Sequence, residues 1–379
     1  MMNAIIAEVA RRGRVSFAEF MELALYHPEA GYYTRRRRGP GPVGAAGDFI
    51  TAPTATPLFA RTLAVMLRRL SQAVGDQVTF VELGAGEGLS LRRVVAELGG
   101  IGSGALRRVV AVEVADWARE RLVAECPGVE ARRSLAELPH PSGPVVLFAS
   151  ELYDALPAHR ITVRRRGGVL EHVEYFVEPS GGGRLRWALG ELSRPELESY
   201  LVTHNLVLEE GQVAELRPDA EAVHAGHLAW CGKNAVALVL DYGYPARQLY
   251  NPRGRKHGSL VGYRGHSLVS NVLSNPGGVD ITAHVNFDDL TNAAAGLGWD
   301  RGQMRPLGAF LALHGALDLL PAGAARGEPL SPADWAELAT AKKLLAPSGM
   351  AVDQKVLEQG KGPAWQAYCK LATPPPVDA

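Results

Sequence analysis

The chain has 379 residues, of which 47% are apolar, and its 40 Lys and Arg balance its 40 Asp and Glu. That length exceeds one ordinary domain, and the apolar content is that of a globular protein. Zero formal charge argues against a duplex-binding protein, which carries a basic excess or a basic face, so no nucleic-acid partner is expected. The three cysteines, Cys126, Cys231 and Cys369, form no CxxC. They read as free thiols in a reducing compartment, and no metal site is expected. No apolar run reaches bilayer length, and Met1 to Val15 lacks the apolar core of a signal peptide. The expectation is a cytoplasmic chain with no membrane partner.

The first fifteen residues read as a short helix. A second begins near Ser16, where Ser16 and Glu19 have capping-box spacing. Phe20, Leu23 and Tyr26 or His27 form its apolar stripe, and Pro28 and Gly31 end it. Residues 35–53 are a Gly/Pro-rich loop, with the run Arg35 to Arg38 read as solvated or acid-paired. Thr56-Pro57 reads as an N-cap and first-turn proline of a helix to about Leu70, with Leu58, Phe59, Leu63, Met66 and Leu67 inward.

From residue 78 the rhythm changes. VTFVEL, RRVVAVEV, VVLFAS and AVALVLDYG read as buried strands, with LSLRRVVAEL and DWARERLVAE as helices between the first three. Such alternation implies a parallel sheet covered on both faces. Residues 160–234 interrupt it. ITVRRRGGVLEHVEYFV alternates like a hairpin around Gly167-Gly168, Gly181 to Gly183 turn again before LRWAL, and helices follow. Residues 244–290 read as loops with short strands. The tail after Thr373 reads as disordered.

The most informative segment is Glu82-Leu83-Gly84-Ala85-Gly86-Glu87-Gly88, between a strand and a helix. Glycines there allow a tight turn and close ligand approach. The spacing is G-x-G-x-G, not the G-x-G-x-x-G of a dinucleotide loop. Glu82 and Glu87 flank it and would repel a pyrophosphate. S-adenosylmethionine has no phosphate and carries an ammonium and a sulfonium, so Glu82 is the candidate partner of its amine. Gly84, Gly86 and Gly88 would lie under its methionine half. Glu113, near the end of the second strand, has two acceptor oxygens suited to both ribose hydroxyls.

The chain resembles the MidA-like family of class I methyltransferases over roughly residues 15–345. The resemblance rests on FAEFMELALYHPEAGYY, GDFITAP (Gly47 to Pro53), ELGAGEG, SELYDALPAHR (Ser150 to Arg160), LVLDYG, GSLVGYRGH and DITAHVNF, in family order. It implies that Gly47, Asp48, Phe49 and Thr51 fold over the cofactor, with Ser150 also on the cofactor side. It implies that Glu151 and Asp154 face the methyl acceptor. The residues agree on the last point, because Glu151-x-x-Asp154 follows a buried strand directly and ligands sit at carboxyl ends of such strands. One family activity is symmetric dimethylation of a protein arginine, so a protein arginine is the first acceptor expected. The pattern departs at Thr54, Thr56, Ser150, Leu152, Tyr153 and Asn286. Lost acidity at Thr54 and Asn286 favours the alternative, O-methylation of a small molecule. That reaction would use a histidine base, with His159 named as catalytic beside His266 and His284, in an apolar cavity lined by Tyr153 and residues 160–234. A third reading is a cofactor-binding assembly factor without turnover. A homodimer is compatible with the sequence, which does not specify one.

The expected architecture is therefore α/β, a doubly wound Rossmann-like class I methyltransferase sheet. Residues 1–70 are the N-terminal helical extension and cofactor-covering loop. Residues 71–159 and 235–345 are the core, 160–234 an inserted α+β substrate-side subdomain, and 346–379 a C-terminal segment and tail.

Overall fold

The computed structural model describes residues 3–37, 39, 41–44, 47–102, 104–321, 323–324 and 329–372. Arg38 and the tail from residue 373 lie outside them. None of the helices among the described residues is long and apolar enough to cross a membrane.

Asn3 caps α1 (Ala4–Arg12) by accepting the Ile5 N–H. A two-residue strand, β1 (Val15–Ser16), leads into α2 (Phe17–Tyr26). The capping box is formed: the Ser16 hydroxyl accepts the Glu19 N–H, and the Glu19 carboxylate accepts the Ser16 N–H. The buried stripe of α2 is Phe17, Phe20, Met21, Ala24 and Leu25, rotated from the expected one, with Leu23 and Tyr26 at its margin. A short α3 (Ala52–Ala55) precedes α4 (Pro57–Val74). Thr56 caps α4 as expected, and the helix passes Leu70 to end at Gly75, whose φ is +67°.

The core alternates β2 (Val78–Leu83), α5 (Leu89–Glu97), β3 (Leu106–Val112), α6 (Asp116–Glu125), β4 (Glu130–Arg132) and β5 (Val145–Ser150). The chain then leaves the sheet through β6 (His159–Arg166), β7 (Val169–Gly181), β8 (Arg184–Gly190), α7 (Glu196–Thr203) and β9 (Val213–Leu216). It returns along α8 (Ala220–Cys231) to β10 (Ala235–Tyr244). Short strands β11 (Val261–Arg264), β12 (Ser267–Val269), β13 (Asp280–Thr282) and β14 (Val285–Asn286) follow. After helix Phe287–Gly296 come β15 (Asp300–Pro306) and β16 (Gln354–Lys361).

The main sheet has the order β15-β16-β10-β5-β2-β3-β4. Strands β4, β3, β2, β5 and β10 run parallel, and β16 runs antiparallel to both neighbours. Adjacent residues along each strand face opposite layers. Phe80, Val146 and Leu238 join α4 and α5 on one face, while Val81, Leu147 and Val239 join α8 and helix Phe287–Gly296 on the other. This is the doubly wound sheet expected. From β2 the chain moves outward through β3 and β4, then crosses to β5 on β2's other side. The order reverses between β2 and β5, and in open α/β sheets the ligand crevice lies at the carboxyl ends there.

Three domain boundaries differ from expectation. β16 lies within residues 346–379, yet it is the strand between β10 and β15, with Val239 opposite Leu357. Buried Gln354, Glu358 and Gln359 interrupt its apolar pattern, which is why the segment did not read as a strand. α8 lies within residues 160–234 but packs its Leu228 into the sheet's own apolar layer, so it is a core crossover helix. β1 pairs with β7, Val15 opposite Val177, so the N-terminal extension joins the inserted sheet β1-β7-β6-β9, with β8 on β7. The insertion leaves from the carboxyl end of β5, and that puts it beside the crevice.

Candidate functional site

The loop after β2 is shaped by its glycines. Gly84, Gly86 and Gly88 have φ of +66°, +53° and +72°. A Cβ on Gly88 would lie 2.7 Å from Leu122 Cγ, so glycine lets α5 start against α6. A Cβ on Gly86 would meet nothing within 4 Å, so this side of the loop is open. Gly84 and Ala85 donate to the Val112 carbonyl at 2.8 and 3.1 Å, tying the loop to β3. Glu113, just beyond β3, accepts the Gly86 N–H at 2.9 Å on one oxygen and the Ala115 N–H at 2.8 Å on the other. Each oxygen keeps a free lone pair, enough for two ribose hydroxyls. Burial raises its proton affinity, and these N–H donors offset part of the rise.

Glu82 is 5% exposed, and its Oε2 has no hydrogen-bond partner. Burial alone pushes its carboxyl up to about 8. An orphaned buried carboxyl calls for a cation or donor from a ligand, and the amine of S-adenosylmethionine supplies both. Glu87, the other acidic residue flanking the loop, is ion-paired with Arg121. Seven buried side-chain atoms lack a partner among the described residues. Five of them, on Glu82, Ser90, Ser150, Asp154 and Gln354, gather around this carboxyl edge. Ser90 and Gln354 were not singled out from the sequence.

The segment Gly47 to Thr51 closes against itself and the rest of the edge. A Cβ on Gly47 would lie 2.2 Å from the Pro42 carbonyl oxygen. Asp48 is fully engaged by protein: it accepts from the Tyr32 hydroxyl at 2.8 Å and Gly265 N–H at 3.0 Å, and pairs with Arg37 at 3.5 Å. Burial opposes its charge, but the Gly265 N–H, the Tyr32 hydroxyl and Arg37 together hold the carboxyl below its ordinary range. Phe49 packs at the margin of the apolar cluster around α2. Thr51 caps α3 with Thr54 in return, and Arg93 of α5 donates to the Thr54 carbonyl at 3.1 Å. Of these four, then, Asp48 anchors the loop and has no charge free for a ligand. Within the arginine run, Arg36 pairs with Glu120 at 2.9 Å and Arg37 with Asp48 at 3.5 Å.

Opposite the glycine loop, β5 runs into the turn Glu151–Asp154. Glu151 is a non-glycine residue at φ +50°, and its N–H donates to the Leu240 carbonyl at 2.8 Å. Such a conformation costs roughly 1–2 kcal/mol and persists where surroundings impose it, often at functional sites. What imposes it is Asp241, fully buried at the end of β10. Its Oδ2 accepts the Tyr153 and Asp154 N–H groups at 3.0 and 3.3 Å, and its Oδ1 accepts the Tyr242 N–H at 2.8 Å. Asp280 on β13 completes a buried acidic group, accepting the Tyr33 hydroxyl at 2.7 Å. Asp154 is 5% exposed, and its Oδ1 has no partner. Burial pushes Asp154 up to about 6 against the pull of Arg217, and Asp280 up to about 7. Burial and then the neighbouring Asp154 charge raise Glu151 well above its ordinary value. Asp241 and Asp280 stand in segments that the resemblance covered, but nothing in their local sequence marks them as partners of Glu151.

Several expected residues stand elsewhere. His159 opens β6 and binds Glu174 at 2.7 Å within the inserted sheet. His284 faces Arg255 at 3.0 Å and is pushed down to about 4, first by burial and then by that charge. His266 donates its backbone N–H to the Asp48 carbonyl at 2.6 Å. Tyr153 is fully buried beneath the turn. Its hydroxyl meets His224 at 2.6 Å and His227 at 3.0 Å, both rings held neutral by burial. Asn286 caps helix Phe287–Gly296 and donates to the Tyr200 hydroxyl at 2.7 Å. Asn286 and Thr54 are thus capping residues, and their lost acidity carries no information about the acceptor.

A buried carboxylate for an ammonium, another for a ribose and an open glycine loop, at the switch point of this sheet, define a class I S-adenosylmethionine-dependent methyltransferase. Residues 58–304 match the family model described as S-adenosyl-L-methionine-dependent methyltransferase. The chain belongs to that family, the MidA-like methyltransferases. It is 28% identical over 328 residues to the mitochondrial protein arginine methyltransferase NDUFAF7 of Mus musculus, covering 78% of this chain and 70% of the relative. The Homo sapiens protein of the same name is 27% identical, covering 78% and 69%. A solved structure from Burkholderia thailandensis, assigned as a methyl transferase and bound to S-adenosyl-homocysteine, is 27% identical with a TM-score of 0.77. The match covers 96% of this chain and 94% of that one. The cofactor is S-adenosylmethionine.

Proposed function

We propose that the chain methylates an arginine side chain of a protein substrate. The observation that carries this is a buried acidic group without a cation. Among the described residues, no Lys or Arg pairs with the carboxyl of Glu151 or Asp154. Arg217, whose charge Asp154 feels, donates instead to the carbonyls of Asp154, Leu156, Ala283 and His284. A guanidinium is the cation such a group fits, because it matches carboxylates through paired N–H···O bonds. The names of the curated relatives support the same acceptor.

The cofactor supplies an electrophilic methyl on a positively charged sulfur. Deprotonating a free guanidinium at neutral pH would cost about 8 kcal/mol, at roughly 1.4 per pK unit. The chain avoids that separate step. Glu151 and Asp154 hold the guanidinium and direct one nitrogen toward the methyl. That nitrogen loses a proton as the N–C bond forms, and the methylated product keeps its single positive charge. Carboxyls raised by burial accept that proton more readily than ordinary ones. The two positions whose lost acidity had favoured a small-molecule acceptor carry capping roles, so nothing specific favours O-methylation.

The test uses labelled cofactor with arginine-containing peptides and, separately, with small-molecule extract. Label recovered as methylarginine after hydrolysis, and lost in Asp154→Asn, is the expected result. Label confined to the small-molecule fraction would overturn the proposal. We also place the chain in the cytoplasm, from its three free and separate cysteines, although the curated relatives are named as mitochondrial.

A further inference from the structure

Gln354 is the first residue of β16 and is fully buried. It stands opposite Tyr242 in the β10 register. That places it at the carboxyl edge, beside the turn that begins with Glu151. Its Nε2 donates to Glu151 Oε1 at 2.6 Å. Its Oε1 is buried with no partner, an uncommon state for an amide in a folded protein. The amide's orientation has a reason. Beside a bound cation the Glu151 carboxyl is ionised and only accepts, so the amide then turns its N–H toward Glu151 and its oxygen away.

Resting on the arginine reading, we infer that Gln354 determines specificity for a guanidinium, taking one of its N–H groups on Oε1. Asp154 Oδ1 is the second unpartnered buried acceptor here, and Glu151 is the third group of the set. These three acceptors come from two separate segments, β16 and the turn after β5. A guanidinium carries five N–H donors spread in a plane and can reach all three. An ammonium has three donors around one atom. A phenol has one, and a carboxylate none. A phenol or a carboxylate leaves buried acceptors unpaired, and an ammonium must meet all three from a single atom, which is how sites built from hydrogen-bonding groups reject analogues. The same amide N–H also fixes the Glu151 carboxylate, whose backbone is held at φ +50°.

The experiment uses the full chain saturated with S-adenosyl-homocysteine, titrated with ethylguanidinium or ethylammonium chloride and followed by NMR. Wild type is expected to prefer ethylguanidinium. Gln354→Met, similar in volume but without the amide, should lower that preference about tenfold. Unchanged S-adenosyl-homocysteine affinity shows that the variants fold. Should Gln354→Met fail to fold, Gln354→Asn carries the test, since its shorter side chain withdraws the oxygen and should lose the preference. A folded variant without the oxygen that keeps the wild-type preference would overturn this inference and leave the arginine reading standing. Wild type showing no preference would overturn both.

Discussion

Asp241 is the residue on which the acceptor side of the cleft turns, and Asp241→Asn tests that. Three backbone N–H groups converge on its carboxylate, from Tyr153 at 3.0 Å, Asp154 at 3.3 Å and Tyr242 at 2.8 Å. Asparagine offers one oxygen and two N–H donors. If the oxygen stays with Tyr153 and Asp154, the Tyr242 N–H faces another donor. A buried donor left unpaired costs about 1–3 kcal/mol, and the remaining bonds lose their charge assistance. Burial, and then the charges of Asp154 and Glu151, raise Asp241 well above its ordinary value, and relief of that strain works in the other direction. The net loss should be about 1–3 kcal/mol, read by denaturant unfolding. The Glu151–Asp154 turn should shift, and a displacement of about 1 Å can lower turnover about a hundredfold. Affinity for S-adenosyl-homocysteine, measured by calorimetry, should change less than about twofold, because the hydrogen bonds of Asp241 among the described residues go to Tyr153, Asp154 and Tyr242 and not to the glycine loop. Wild-type turnover in a variant with this stability loss would refute the reasoning, as would the absence of any stability loss.

Gly86→Ala and Gly88→Ala should separate ligand space from packing. Gly88→Ala meets Leu122 at 2.7 Å and should lower stability by about 2 kcal/mol or more. Gly86→Ala has open space and should cost only about 1 kcal/mol of stability while weakening cofactor binding at least tenfold, and calorimetry showing normal binding would mean no ligand approaches there. Glu82, held up to about 8 in the free protein, must ionise to receive the cofactor's ammonium. Affinity for S-adenosyl-homocysteine should therefore rise from pH 6 to pH 8 with proton release, and a flat profile would exclude that contact. Because Glu82, Asp154 and Asp280 are raised above their unfolded values, their contribution to stability is complete below about pH 4 and is lost as pH rises through about 6 to 8. Unfolding of the ligand-free protein across that range should show a decline that saturating ligand reduces. His159→Ala should lower stability by leaving the buried Glu174 with only the Ser193 N–H as partner, while the chemical step at saturating substrates changes less than about twofold.

The sequence by itself determined the periodic parts of this protein. Val78–Leu83 and Val145–Ser150 are buried, largely apolar strands whose ends coincide with those read from the chain. Burial on both sheet faces demands continuous β-branched and aliphatic runs, and these are legible one residue at a time. The G-x-G-x-G loop and the Ser16 cap were legible for the same reason, since their geometry is set within a few residues. Tertiary structure alone decided the rest. β16 was hidden because Gln354, Glu358 and Gln359 are buried polar residues whose partners come from distant segments. The partner of His159, Glu174 at 2.7 Å on the neighbouring strand, was not legible in the sequence. Asp241 and Asp280 became members of the acidic group only when β10 and β13 brought them beside Glu151 and Asp154. A strand announces itself through the solvent it must avoid, whereas a polar side chain takes its role from the group folding sets against it, often hundreds of residues away in the chain.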